Sequence, residues 1–105
     1  MKNTLVNRLD FSKGLIPTIA QDMEGKILML AYSSPESVQL TIDEGFGWYY
    51  SRSRTQLWKK GETSGNFQRV KNIYVDCDND SLIYLIEQTG NACHLGKYSC
   101  FTEVE

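Results

Sequence analysis

The 105-residue sequence contains no long apolar run, no large excess of one charge and no even set of cysteines. A membrane-spanning helix needs about 20 mostly apolar residues, and no segment comes close to that length. A net charge of −2 gives no general attraction to nucleic acid or to an anionic membrane. We therefore expect neither as a partner. The first ten residues also lack the apolar core of a signal peptide, so we expect a cytoplasmic protein with reduced thiols.

The three cysteines are an odd number, which fits a disulfide framework poorly and a set of metal ligands well. Their spacing is Cys77-x15-Cys93-x6-Cys100, and His94 directly follows the second. Thiolate and imidazole are ligands that zinc prefers, and three protein ligands with an open fourth position are typical of catalytic zinc sites. The spacing leaves two alternatives open. The thiols could be ordinary core residues, or His94 could close the site as a fourth ligand.

Three aspartates surround the first cysteine at alternate positions, Asp76, Asp78 and Asp80. Carboxylates this close repel one another unless a cation neutralises them, and oxygen ligands of this kind suit magnesium or calcium. With Glu87 they also match the spacing of an EF-hand loop. Ser81 stands where that loop needs glycine, and the flanking segments resemble strands, so we reject an EF-hand. A solvated turn is the alternative explanation.

The pattern of apolar residues predicts a single α+β domain over residues 1–105, mainly antiparallel β with one or two short helices. Pro17 indicates an edge position for the first strand. Ser34 and Pro35 are typical of a helix start and Gly45 of a helix end, which predicts a helix over Pro35–Glu44. The predicted strands cover residues 15–22, 27–32, 47–53, 67–78 and 82–88, and residues 56–66 are predicted to be a loop.

Basic and aromatic residues concentrate in the middle of the chain, where six of the eleven basic residues lie within residues 52–71. Arginine and lysine bind phosphates, aromatic rings stack on bases, and the glycine-rich stretch at residues 61–66 offers donors to an anion. Together these features favour a phosphorylated, nucleotide-sized ligand. A solvated strand face above core aromatics is the alternative.

Taken together, four motifs resemble the phosphoribosyl-AMP cyclohydrolase family of histidine biosynthesis, over residues 14–101. The motifs are Ser51-Arg52-Ser53-Arg54, Leu57-Trp58-x-Lys60-Gly61-Glu62-x-Ser64-Gly65, Asp76-Cys77-Asp78-x-Asp80 and Ala92-Cys93-His94-x-Gly96-x-x-Ser99-Cys100-Phe101. Two positions depart from the family pattern. Tyr50 stands where the family often has tryptophan, and Leu95 stands where it usually has threonine.

The resemblance implies an enzyme that opens the N1–C6 bond of the adenine ring of 1-(5-phosphoribosyl)-AMP by hydrolysis, without releasing ammonia. It also implies an intertwined homodimer with active sites at the subunit interface. Some relatives carry a second, pyrophosphohydrolase domain, and because 105 residues are too few for it, we expect a monofunctional chain. The ligands carried over from the family are Cys77, Cys93 and Cys100 for zinc, and Asp76, Asp78 and Asp80 for magnesium.

The same resemblance suggests roles for individual side chains. His94 is expected to act as general base or acid, since imidazole exchanges protons near neutral pH. Zinc in an open site lowers the pKa of its bound water and so supplies hydroxide. The residues expected to contact the substrate are Arg52, Arg54 and Lys60 at phosphates, Trp58 by stacking, and Glu62 and Ser64 from the loop.

Two other functions compete with this one. In the first, the chain is a zinc-stabilised module that binds RNA or a nucleotide, with His94 closing the zinc site. In the second it is a nucleoside deaminase, but the histidine-x-glutamate and Cys-x2-Cys elements of those enzymes are missing from the sequence.

Overall fold

The computed structural model describes residues 2–105, so Met1, the first residue of the predicted domain, lies outside the described residues. Residues 2–105 form two helices and six strands, which confirms the predicted α+β class with mainly antiparallel pairing. The elements are α1 (Lys2–Arg8), β1 (Ile16–Asp22), β2 (Ile27–Ser33), α2 (Pro35–Glu44), β3 (Trp48–Ser51), β4 (Gln56–Lys59), β5 (Gln68–Val75) and β6 (Leu82–Gln88).

Four strands form one sheet in the order β2-β1-β6-β5, and β3 and β4 form a separate antiparallel hairpin. The hairpins β1–β2 and β5–β6 are antiparallel, whereas β1 and β6 run parallel. A parallel pair needs a long connection, which here contains β2, α2, β3, β4 and β5. Within residues 2–105, the helices are all too short or too polar to cross a bilayer.

The prediction that β1 is an edge strand was wrong, because β1 lies between β2 and β6. Proline has no N–H to donate to a neighbouring strand, so it is normally excluded from interior strands. Pro17 is tolerated because the pairing with β6 begins only at the next residue, where Thr18 lies opposite Leu82.

Two further boundaries differ from the sequence prediction. The predicted loop at residues 56–66 begins with strand β4, whose Leu57 lies opposite Tyr50. The predicted strand over residues 67–78 ends at Val75, and residues 76–81 form a turn instead. In this turn Asn79 has a φ of 61°, a left-handed conformation that asparagine adopts more readily than most residues.

Helix α2 has the ends that its sequence predicts. The Ser34 side chain accepts from the Ser37 N–H, and the Ser37 side chain accepts from the Ser34 N–H in return, which forms a capping box. Gly45 ends the helix with a φ of 80°. Val38 is fully buried, and Ile42 is partly buried against the core.

The two faces of the four-stranded sheet have different environments. One face packs under α2 and the β3–β4 hairpin, where Tyr84 of β6 meets Tyr49 of β3 with ring centres 5.8 Å apart. On the other face, the strand registers align large apolar residues across all four strands. This open face consists of Leu30, Ile19, Ile83 and Tyr74, which lie opposite one another in that order. Its end members, Leu30 and Tyr74, are 46% and 54% exposed.

Candidate active site and metal centres

A cavity of about 610 Å³ lies beside the β3–β4 hairpin and the loop that follows β4. Cavities of this size accommodate small-molecule ligands. The sequence-predicted residues that line it are Arg54, Trp58, Lys60, Glu62, Ser64 and His94. Side chains from the middle of the chain and from its C-terminal part therefore meet around one space.

Arg52 is the one predicted substrate residue that does not line this cavity. Its guanidinium carbon lies 4.0 Å from the centre of the Tyr32 ring, which is a cation–π arrangement. Arg52 and Arg54 therefore have different surroundings although only one residue separates them.

The shape of the cavity loop depends on Gly61. Its φ is 87°, and a Cβ atom there would lie 2.5 Å from backbone atoms of Asn66 and Phe67. The Gly65 N–H also donates to the Gly61 carbonyl at 2.7 Å, which closes the loop on itself. Only glycine fits this backbone, and the loop brings Glu62 to the cavity.

Trp58 connects the cavity to the core. Its ring centre lies 5.1 Å from that of Tyr49, whose side chain is fully buried. The Tyr49 hydroxyl donates to Gln68 Oε1 at 2.5 Å, and burial raises the pKa of this phenol well above its usual value. Trp58 thus packs against the core and also lines the cavity.

His94 belongs to a tight turn in the C-terminal segment. The Ala92 N–H donates to the Tyr98 carbonyl at 3.1 Å, and the Cys93 N–H donates to the Lys97 carbonyl at 3.0 Å. The Lys60 ammonium donates to the Ala92 carbonyl, which joins this turn to the cavity loop. The sequence contains no signal for that contact, because the two residues are 32 positions apart.

Two of the three cysteines lie together. Cys93 is buried, and Cys100 is close enough that each thiol shifts the pKa of the other. The Leu95 N–H donates to the Cys93 sulfur at 3.4 Å and, with Cys100, lowers the pKa of the Cys93 thiol. Partial removal from water and the neighbouring Cys93 raise the pKa of Cys100. Two neighbouring sulfurs, one with a lowered pKa, fit two ligands of a zinc site.

Cys77 lies far from this pair. It occupies the turn that precedes Leu82, and the parallel pairing of β1 and β6 places that turn at the Thr18 end of the sheet. The Cys100 N–H donates to the Leu28 carbonyl, near the start of β2 and therefore at the opposite end. Strand β6 spans about 20 Å between these ends. Among residues 2–105, the three sulfurs do not meet within one chain.

The three aspartates do come together in the turn between β5 and β6. Ligand oxygens of Asp76, Asp78 and Asp80 all lie within 4.8 Å of one another. The Asp80 N–H donates to Asp76 Oδ1 at 3.0 Å and lowers the pKa of Asp76, whereas the hydrogen bond and charge of Asp76 raise the pKa of Asp80. This oxygen-rich group fits a divalent cation. In the described part of the chain it is the one cluster of three or more potential ligands.

Comparison with known proteins identifies the family. The model of the phosphoribosyl-AMP cyclohydrolase family matches residues 29–102. A phosphoribosyl-AMP cyclohydrolase of Listeria innocua is 59% identical over 97 residues, covering 91% of this chain and 92% of the relative. Those of Archaeoglobus fulgidus and Clostridium beijerinckii are 63% and 56% identical, covering 85% and 91% of this chain and 83% and 91% of each relative. The chain belongs to the phosphoribosyl-AMP cyclohydrolase family.

Proposed function

We propose that this chain is a hydrolase that opens the N1–C6 bond of the adenine ring of 1-(5-phosphoribosyl)-AMP, a step of histidine biosynthesis. Family membership supports this activity. The structural observation that carries the proposal is the cavity in which His94 joins Arg54, Trp58 and Lys60. One imidazole, one aromatic face and two cations in one space suit a phosphorylated purine nucleotide.

The cavity residues have distinct tasks in this proposal. Trp58, which packs against Tyr49 and lines the cavity, stacks on the purine. Arg54 and Lys60 neutralise phosphate oxygens. His94 accepts a proton from the water that adds to C6, and a proton reaches N1 as the N1–C6 bond breaks. The exocyclic amine remains as part of a carboxamide, so no ammonia forms.

The chain offers fitting ligands for two metals. We propose that Cys77, Cys93 and Cys100 hold zinc, and that Asp76, Asp78 and Asp80 hold magnesium. Bound zinc would lower the pKa of its water ligand and so provide hydroxide near neutral pH. Thiolate ligands need a reducing compartment, so we also propose a cytoplasmic location. His94 does not join Cys93 and Cys100 in a three-ligand cluster among residues 2–105, which disfavours the zinc-stabilised module in which His94 closes the site.

We propose further that the protein is a homodimer, with Cys77 of one subunit completing the zinc site of the other. Two observations support this. Cys77 lies at one end of the sheet, and Cys93 and Cys100 lie at the other end. A two-fold axis would place Cys77 of each subunit beside Cys93 and Cys100 of its partner. The open face also leaves Leu30 and Tyr74 about half exposed, which is typical of a surface that another molecule covers.

Mixing subunits tests the shared site. Dimers of Cys77→Ser alone or Cys93→Ser alone contain no complete cysteine set and should be inactive. A mixed dimer contains one intact set, from Cys77 of one subunit and Cys93 and Cys100 of the other. After unfolding and refolding together in equal amounts, half the dimers are mixed, so about a quarter of wild-type activity should return. No recovery, with mixed dimers shown by mass spectrometry, would contradict a site that spans two subunits.

The activity itself is tested by the change in ultraviolet absorbance of 1-(5-phosphoribosyl)-AMP, with ammonia measured in the same samples. The wild-type protein supplied with zinc and magnesium should consume the substrate without ammonia. His94→Ala should lower kcat roughly 100- to 10,000-fold, as expected for a lost general base, and retain its zinc. Substrate turnover by His94→Ala at the wild-type rate would show that His94 is not the base.

A further inference from the structure

The segment that carries Cys93 and Cys100 has no regular secondary structure in the described chain and depends on hydrogen bonds to distant residues. The Cys100 N–H donates to the Leu28 carbonyl at 2.7 Å, and the Ser99 hydroxyl donates to the Ile27 carbonyl at 2.8 Å. The Tyr98 phenol donates to Asp22 Oδ2 at 2.7 Å. This last bond joins two side chains that are 76 positions apart.

Asp22 is well suited to hold Tyr98. It is the last residue of β1, is only 7% exposed, and uses both carboxylate oxygens. Oδ1 accepts from the Glu24 and Lys26 N–H groups at 3.0 and 2.8 Å, which fixes the carboxylate in the β1–β2 turn. Oδ2 points to the phenol. A buried carboxylate with such donors forms strong, directional hydrogen bonds.

The position of this bond along the chain gives it a consequence for the cysteines. Tyr98 precedes Cys100 by two residues, and its carbonyl accepts from the Ala92 N–H at 3.1 Å, directly before Cys93. The backbone around Tyr98 therefore brings the two cysteines to the same turn. An irregular segment that is free to move must lose conformational entropy before two sulfurs can meet at one point. A segment that is already fixed loses less, so it binds a shared ligand more tightly.

We propose that Asp22 is a positioning residue that acts through Tyr98 to hold the Cys100 thiol beside Cys93 before any metal binds. Within residues 2–105 Asp22 makes no hydrogen bond to either sulfur, and its bond to Tyr98 acts on the cysteines through the backbone of residues 98–100. The consequence for metal binding rests on the zinc site of the proposed function, whereas the proximity of the two thiols does not.

The central variant is Tyr98→Phe, which removes one hydroxyl and keeps the ring. Tyr32→Phe is the matched control, because it removes the same atom from a half-buried ring on β2 and keeps the ring beneath Arg52. Asp22→Ala, alone and combined with Tyr98→Phe, tests whether the two residues act through one another.

The first measurement needs no metal. In a glutathione redox buffer, Cys93 and Cys100 pass two electrons to glutathione disulfide, which yields an intrachain disulfide and two glutathione thiols. The equilibrium constant, obtained by peptide mass mapping, reports how often the two sulfurs meet. Tyr98→Phe should lower it by roughly fivefold, the factor that one hydrogen bond of ordinary net strength provides. Tyr32→Phe should leave it unchanged, and Tyr98→Phe should add nothing in the Asp22→Ala background.

The second measurement is zinc affinity by competition with a chromophoric chelator, where the same roughly fivefold loss is expected for Tyr98→Phe. The proposal would be overturned if the equilibrium constant for the Cys93–Cys100 disulfide in Tyr98→Phe equalled that of the wild-type protein, whether or not the melting temperature fell. Independent effects of Asp22→Ala and Tyr98→Phe would overturn it as well. If Tyr98→Phe weakens the disulfide but the wild-type protein binds no zinc, the positioning role stands and the zinc site fails.

Discussion

The turn at residues 76–81 and the segment at residues 92–100 carry the candidate metal ligands, but different interactions shape them. In the turn, the Asp80 N–H bonds to the Asp76 side chain, so the aspartates assemble from neighbours within a hairpin. In the cysteine segment, Lys60, Asp22 and Leu28 provide the contacts, and all three are distant in sequence. The N-terminal part of the chain also bonds to this turn, but only at Asn79, through Arg8 and Asp10. The aspartates are therefore arranged by their own neighbours, whereas Cys100 is positioned by residues far away in sequence.

This difference implies that the two sites should respond separately to mutation. A change in the turn can alter magnesium binding while the cysteine pair keeps its geometry. A change in a distant contact can disturb the cysteine segment without touching the aspartates. Cys77 is the exception, since it lies in the turn but belongs to the proposed zinc site.

The largest effect is expected for Cys77→Ser. Loss of a zinc ligand should lower kcat/KM by more than about 100-fold, since even residues that only support a ligand contribute 10- to 100-fold. Zinc content should fall while magnesium affinity stays within about twofold of the wild-type value, because the neighbouring aspartates do not need the thiol. Elemental analysis and calorimetric magnesium titration measure the two quantities. Equal loss of both metals would contradict the separation of the sites.

Asp78→Asn should affect magnesium binding and leave zinc binding unchanged, the reverse of Cys77→Ser. Removing one carboxylate charge should weaken magnesium binding by about tenfold, since ligand charge sets the affinity of such sites. Zinc content should not change. Asp43→Asn on helix α2 is the control, because it removes an exposed carboxylate that accepts a hydrogen bond from Gln39. Loss of zinc in Asp78→Asn but not in Asp43→Asn would show that the two sites are coupled.

Lys60→Met tests the contact between the cavity loop and the cysteine segment. Without its hydrogen bond to the Ala92 carbonyl, the turn that presents His94 should be less well positioned, and kcat should fall about fivefold. Because Lys60 also lines the cavity, KM should rise. Lys71→Met on β5 is the control for loss of a positive charge at an exposed position. A kcat equal to wild type with only KM changed would limit Lys60 to substrate binding.

The smallest effect is expected for Leu95→Thr, which restores the residue usual in the family. The contact of residue 95 with Cys93 comes from its backbone N–H, and the Leu95 side chain is 74% exposed. Steady-state kinetics should therefore stay within about twofold of wild type, as for most exposed substitutions. A larger gain in kcat would show that a threonine hydroxyl takes part in the site.

The local features of the fold could be predicted from sequence because short-range signals encode them. Ser34 and Gly45 mark the ends of α2, and the two long hairpins follow their apolar patterns. The edge prediction for Pro17 failed because the partner strand β6 lies more than 60 residues away, and only the register with β6 shows that Pro17 precedes the pairing. Helix α1 was not predicted at all.

The candidate site divides in the same way. Composition and motifs indicated Arg54, Trp58 and Lys60 together with His94, and the cavity brings these side chains together. Arg52 belonged to the same motif as Arg54, yet it lies on Tyr32. Neighbouring residues can have different surroundings because a side chain's direction depends on the packing around it, which motif spacing does not describe.

By itself, the sequence determined the chemistry that this protein can offer: three thiols, a group of carboxylates, one imidazole and a basic aromatic stretch. Residue type alone sets which ions and groups such side chains bind. Only the tertiary structure decided which of them meet. It separates Cys77 from Cys93 and Cys100 along the length of the sheet and places Tyr98 on Asp22. Contacts across 32 or 76 positions follow from packing around a common core, and no local pattern encodes them.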